Sequence, residues 1–385
     1  MIVEQFFQWV TTAPADKRAK ATRALAEAFF VSDMSEDDRS AAEAAMTFLL
    51  DDPDREVRKA LASVVVHRQE APRHIILGLM DDEDEVSLMA VAHSPVLIDS
   101  ELVDLVAMRE LPFQLAIARR RNLSAGVAAA ISEVASLQVC IVLLQNEDAV
   151  VLSRTLYRLS ERFGENDTLR ALLLKRPNLP IAARQMMIAK MSEALGNRAV
   201  QSAQMQYDQA VDATREARDR ATLTLLRTIS TDELPELIEH LRQTEQLTTV
   251  LLLRAICAGK IDFFIEALTV LSGVNHKRIA ALLTDSSSRA LKTVYHRAGL
   301  PEEAYPAFSI AFDVYVEEGV VLDVSDQYRF TRIMIERILE RYKLAGSSEI
   351  DEILSMLRRF ASETARDAAR DYVNNQIDHL QISAA

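Results

Sequence analysis

Three stretches of this chain share one pattern: LLDDPDREVRKALASV from Leu49, LMDDEDEVSLMAVAHS from Leu79 and LLQNEDAVVLSRTLYR from Leu143. Each passes from an apolar pair through an acidic polar turn to a valine that opens an amphipathic run. A second echo follows the first. AVAHSPVL from Ala90, AIARRRNL from Ala116 and LLLKRPNL from Leu172 each close an apolar run, turn through a few polar residues and restart at a leucine. Recurrence at roughly 26 to 30 residues, or twice that, marks a two-helix unit that cannot bury its apolar face alone and must stack on copies of itself. The expectation is an all-α, HEAT-like α-solenoid of stacked helix pairs followed by a second helical domain.

Composition agrees. Nine glycines and ten prolines in 385 residues leave few helix breakers, and aromatics amount to only 6%. Apolar runs such as TTVLLL from Thr248 are embedded in helical periodicity, so no sheet is expected. The organisation reads as an N-terminal HEAT-like repeat domain over 1–195, a long charged connecting helix over 196–230 and a C-terminal helical domain over 231–385. Asp52 before Pro53, Ser35 with Asp38, Ser124 and Asn275 look like N-caps, and Pro14, Pro72, Pro112, Pro180 and Pro301 sit where helices should begin. An imperfect stripe in the tail (Ile353, Leu357, Phe360, Ala361, Ala368, Tyr372, Ile377, Leu380) suits packing, or a homodimer through the C-terminal helix.

The net charge of −13 argues against generic nucleic-acid binding, because a polyanion would be repelled. The charge is uneven: residues 1–100 carry 19 acids against 10 bases, and residues 151–200 carry 4 against 9. One region could therefore recognise anions locally. Cys140 and Cys257 lie in apolar runs and imply no disulfide. Glu4 stands where a signal peptide needs positive charge, and no apolar run reaches the roughly 20 residues of a membrane span, so a cytoplasmic protein is expected. The acids Asp81 to Glu85 raise the question of calcium. An EF-hand loop needs glycine sixth and glutamate twelfth; counted from Asp81 these positions hold Val86 and Ala92, so the acids read as helix-opening residues on a solvated edge.

No dinucleotide fingerprint, phosphate-binding loop, nucleophile elbow or zinc-ligand spacing occurs, and His67 and His74, the closest histidine pair in sequence, straddle the break at Pro72. No catalytic residue, metal or cofactor is assigned. Two constellations stand above background. Arg119, Arg120 and Arg121 share a repeat position with Lys175 and Arg176, and with Arg154 and Arg158 they could form a basic interaction edge for an acidic partner; ordinary ion pairing is the plainer explanation. Arg278, Asp285, Tyr295, His296 and Arg297 are polar groups among apolar helix positions, either a satisfied internal network or a ligand site between helices.

The segment from Leu247 to Phe308 resembles the alpha-proteobacterial family catalogued as domain of unknown function 2336. The residues that carry it are Leu253, Arg254, Phe263, Phe264, Leu268, Leu271, Arg278, Leu282, Leu283, Tyr295, Arg297, Gly299, Leu300, Pro301 and Phe308. The HSPVL and RRRNL turns resemble the family's N-terminal part, so the likeness spans about residues 50–310. The chain has SSSRA from Ser286 where that family usually has a glycine-containing turn. The resemblance implies a helical, HEAT-like protein and supplies no catalytic residues. The functional expectation is a protein-interaction scaffold or regulatory adaptor without catalysis, with a partner the sequence does not name. A sensor of a small anionic ligand such as a nucleotide is the alternative, and an enzyme or DNA-binding solenoid comes third.

Overall fold

A computed structural model describes residues 9–202, 205–284, 288–318, 327–345, 355–366 and 369–370. Its described residues fold into helices joined by short turns, with no strand among them. The chain divides into two compact units, Met1–Ala183 and Arg184–Ala385.

The first unit contains α1 (Ala15–Val31), α2 (Glu36–Phe48), α3 (Arg55–Val65), α4 (Arg73–Met80), α5 (Asp84–His93), α6 (Asp99–Met108), α7 (Leu111–Ala118), α8 (Ala125–Val134), α9 (Leu137–Gln145), α10 (Ser153–Phe163) and α11 (Asp167–Leu174). Most span only eight to thirteen residues, too short to persist alone in water. Stacking supplies the stability. Helices α1, α3, α5, α7, α9 and α11 pack successively on one another in one row, and α6, α8 and α10 in a second, which is the arrangement that a stack of helix pairs requires. Val57, Leu61, Ile75, Ile76, Val86, Val91, Ile117, Val127, Ile131 and Leu143 are fully buried in the core of this unit, each apolar side chain contributing about 1.5–3 kcal/mol.

The acidic turns tie one repeat to the next. Arg18 grips Asp52 with two hydrogen bonds, Nε to Oδ2 at 2.9 Å and Nη2 to Oδ1 at 2.8 Å. Arg58 grips Asp82 in the same way, at 2.7 and 2.9 Å, and also donates to the Asp52 carbonyl at 2.7 Å. Lys59 and Arg55 pair with Glu85 at 2.7 and 3.0 Å. Asp52 and Asp82 are thus inter-repeat anchors with nearly buried side chains, not members of a solvated edge. The N-cap of α3 is Asp54, which accepts from the Glu56 amide at 2.9 Å; Asp52 lies two residues earlier and accepts from the Asp54 amide. Ser35 and Ser124 do cap α2 and α8.

The stretch 196–230 is a hairpin and not one continuous helix. Helix α12 (Ile181–Gln201) ends before a turn, and α13 (Tyr207–Leu225) follows it. The turn contains neither glycine nor proline, so nothing local announces it. Packing stabilises it instead: a Cβ on Gly196 would lie 2.1 Å from Thr214 Oγ1, so any larger residue there would force the Thr214 side chain to shift.

The second unit continues with α14 (Leu234–Gln243), α15 (Thr249–Cys257), α16 (Ile261–Ser272), α17 (His276–Thr284), α18 (Ser288–Arg297), α19 (Tyr305–Glu318), α20 (Gln327–Ala345) and α21 (355–366). Again alternate helices stack, α14 on α16 and α16 on α18. Helix α15 packs against α16, α19 and α20 and is buried from Leu251 to Cys257, which is why LLLRAIC reads as an almost continuous apolar run. The thiols of Cys140 and Cys257 are free and buried, and burial pushes them up to about 11 and about 12. No helix among the described residues is long and apolar enough to cross a membrane.

Candidate functional site

The seven cations of the expected basic edge fall into two groups. Arg119, Arg121, Arg154 and Lys175 are exposed, and their side chains hold no ion pair among the described residues. Arg120, Arg158 and Arg176 are part-buried and engaged. Arg120, at the end of α7, donates to the carbonyls of Val91 and, at 2.7 Å, Ser94 at the end of α5. Arg176, just past α11, donates to the carbonyls of Leu144 and Asn146 at the end of α9. Arg158 pairs with Glu133 at 2.8 Å and with Glu161.

Sequence reasoning passed over the residue that completes this series. Asn146, at the end of α9, donates to the carbonyls of Ala118 and Arg120 at 2.9 and 2.8 Å. Arg120, Asn146 and Arg176 therefore form a ladder along one row, each satisfying the free carbonyls at the C-terminal, negative end of the helix one repeat earlier. Arg162 does the same in the other row, from α10 to the carbonyls of Ser132 and Ala135. The signal in sequence was the shared repeat position of Arg120, Asn146 and Arg176, just after an apolar run.

The described members of the second constellation, Arg278, Tyr295, His296 and Arg297, do not converge on one site. Asp285 lies outside the described residues, as do Ser286 and Ser287, while the rest of SSSRA opens α18. Tyr295 is fully buried, with its hydroxyl donating to the Pro301 carbonyl at 2.8 Å, and burial pushes it up to about 12. Its ring packs on Tyr305 and Phe308, both at 5.2 Å. His296 is exposed and stacks on Tyr305; Arg278 is also exposed. Arg297 donates to the Ser272 carbonyl at 2.9 Å, repeating the ladder of the first unit between α18 and α16. Tyr295 and Arg297 are structural members of this unit.

No group of three or more potential metal ligands occurs among the described residues. His74 contacts Thr47 Oγ1 at 2.9 Å, while His67 lies against His93 at 4.9 Å between ring centroids, a pairing across repeats. Burial, then the nearby His67 and Arg120, hold the His93 imidazole below its ordinary range.

The surface feature with most functional content is on the hairpin. Among the described residues of the second unit, the exposed large apolar side chains are Met191, Leu195, Met205, Tyr207 and Val211, all on α12, α13 or the turn between them. Leu195 is 60% and Tyr207 71% exposed. A cleft of about 360 Å³ runs between the two helices, with Val200, Tyr207 and Val211 beside Glu193, Arg215 and Arg218. By contrast, Leu357 and Phe360 of the tail stripe are buried in the unit's own core, so a symmetric contact through them would require α21 to leave its place.

The molecule is thus an all-α protein with one helix-pair stack and a second helical unit that carries an apolar hairpin face. It belongs to the DUF2336 family of uncharacterised proteins conserved in bacteria, which matches residues 86–347. That span starts later and reaches further toward the C-terminus than the resemblance read from the sequence. No curated protein and no solved structure matches the chain.

Proposed function

We propose that this protein is an interaction scaffold or regulatory adaptor, and that the α12–α13 hairpin is a main contact for its protein partner. One observation carries the reading: the exposed large apolar groups described in the second unit are gathered on one hairpin. Scattered apolar residues are ordinary on a protein surface, whereas here Tyr207 and Val211 share one cleft with Val200 beside Glu193, Arg215 and Arg218, the pairing of apolar surface and charged rim that marks a contact site. The cleft offers a socket for one large apolar side chain, and Arg215 and Arg218 favour an acidic neighbour to it. On the first unit, Arg119, Arg121, Arg154 and Lys175 supply exposed positive charge suited to steering an acidic partner surface, an effect that weakens with salt. The reading places the protein in the cytoplasm and assigns it no chemistry of its own.

The test places a photo-crosslinking amino acid at Tyr207 in cells, with Thr244, exposed elsewhere on the second unit, as the control position. A partner captured at 207 and not at 244 is then purified and titrated. Tyr207→Glu together with Val211→Glu should weaken binding about tenfold or more while leaving the melting temperature within a degree or two. Crosslinking at 207 no stronger than at 244 would overturn the reading.

A further inference from the structure

We infer that the second unit holds a binding site for a small phosphate-bearing anion in the cleft between the end of α13, the start of α14 and the α15–α16 turn, with Lys260 as its principal ligand. The cleft encloses about 250 Å³ and is lined by Arg227, Ser230, Thr231, Lys260 and Asp262 over an apolar floor that includes Phe263. That volume accommodates a phosphate group with a small organic body.

The local fold fixes Lys260 firmly. Helix α15 ends in a Schellman turn: the Gly259 amide bonds the Ile256 carbonyl at 2.9 Å and the Lys260 amide bonds the Ala255 carbonyl at 2.8 Å. Gly259 has φ +73°, and a Cβ there would also meet Phe330 at 3.0 Å, so the position favours glycine twice over. The backbone of Lys260 is therefore pinned at the mouth of the cleft.

The Lys260 side chain makes no ion pair among the described residues, although the chain as a whole is strongly acidic. The nearby Glu233 is turned back onto Ser230, accepting from its amide at 3.0 Å and its hydroxyl at 3.3 Å. Burial first, and then the positive field of Arg227, hold the Lys260 ammonium below its ordinary range, with Asp262 opposing them. Lys260 and Arg227 both line this concave polar site, with Asp262 beside them. A bound oxyanion would offset that repulsion and accept from the Lys260 ammonium and from the Thr231 hydroxyl, both of which line the cleft. Asp262 at the same rim disfavours a ligand of high charge density and suits one whose body offers a hydroxyl or amine.

This inference is independent of the adaptor reading, since the hairpin face and the cleft share no residue. The full chain is titrated with inorganic phosphate at constant ionic strength, using sodium chloride as the matched control, and separately with a nucleoside monophosphate. Lys260 reactivity toward an amine-acylating reagent is followed by mass spectrometry alongside Lys277, which is exposed on α17. The expected result is saturable phosphate binding that slows acylation of Lys260 and not of Lys277. Lys260→Gln should weaken that binding about tenfold, and Lys277→Gln should leave it unchanged. Tighter binding of the nucleotide with the same Lys260 dependence would identify a larger phosphorylated ligand, and equal binding a site for the anion alone; both support the site. Unsaturable effects equal to those of chloride, or Lys260 acylation indifferent to phosphate in the wild-type chain, would overturn it, and this second readout needs no variant to fold.

Discussion

Arg176 Nη2 lies 2.9 Å from the carbonyl oxygen of Leu144, the counterpart, two steps along the same row, of the Arg120 contacts with the end of α5. A charged side chain here serves the backbone. The last carbonyls of a short helix have no partner within it, and leaving them buried without one is costly. The ladder meets that need with the residue that ends the next helix in the row, so the stack is fastened by polar bonds at its turns as well as by apolar packing between them.

The ladder predicts a sharp contrast among adjacent arginines. Arg120→Ala removes donors from two carbonyls and should destabilise the first unit by about 1–3 kcal/mol. Arg119→Ala, at an exposed neighbour, should stay within about 0.5 kcal/mol. Urea unfolding of the two variants measures the difference. Equal, small effects would show that Arg120 is a free surface cation after all.

A second expectation concerns the tail. Leu357 is fully buried, with Phe360 nearly so, and Arg359 ties α21 to Glu216 of α13 at 3.0 Å. Leu357→Ala should therefore cost about 2–5 kcal/mol, visible as a lower thermal midpoint at every protein concentration. A dimer held by this residue would instead show a midpoint that falls with dilution in the wild type and loses that dependence in the variant.

What the sequence disclosed and what it hid follow from period and partner. Helix pairs were legible because stacking forces an apolar period that survives in the letters around Leu49, Leu79 and Leu143. The anchoring role of Asp52 and Asp82 was not, because their arginines lie 34 and 24 residues away and a linear pattern does not show which charges meet. The three arginines at 119–121 look alike in sequence; the turn after α7 directs only the middle one back to α5. Arg254 inside LLLRAIC read as one polar letter in a buried helix. Its guanidinium proves to be buried without a hydrogen bond, over the Phe360 ring at 5.4 Å, an outcome fixed by α21, about a hundred residues later. The break between α12 and α13 has no glycine or proline of its own and depends on the crossing at Gly196.

That crossing can be tested by a compensating pair. Gly196→Ala sets a methyl against Thr214 Oγ1 and should destabilise the second unit by about 1–3 kcal/mol. Thr214→Ala removes the atom it strikes, so the double variant should recover much of the loss, a coupling that a thermodynamic cycle measures directly. Additive losses would mean that the cost arises elsewhere in the hairpin.

The buried charges of the second unit make stability depend on pH in a defined direction. Asp219 and Arg254 are each 1% exposed, and Asp219 Oδ1 has no hydrogen-bond partner. Burial pushes the Asp219 carboxyl up to about 6, with Arg254, Arg218 and Arg215 pulling it back and Glu216 adding to the rise. The folded state therefore holds this proton more tightly than the unfolded chain, whose aspartate titrates near about 4. The ionised form opposes folding, with the full cost above about pH 6 and none left below about pH 4. Against Asp219→Asn, which cannot ionise, the wild type should thus gain stability as pH falls from about 7 to about 4, with most of the change between about 6 and 4. Chemical denaturation of both proteins at several pH values supplies the comparison, and the difference cancels every other titrating group to first order. A gap that stays constant, or that widens against the wild type on acidification, would show that Asp219 is ionised and well paired in the fold, and that the surrounding arginines outweigh its burial.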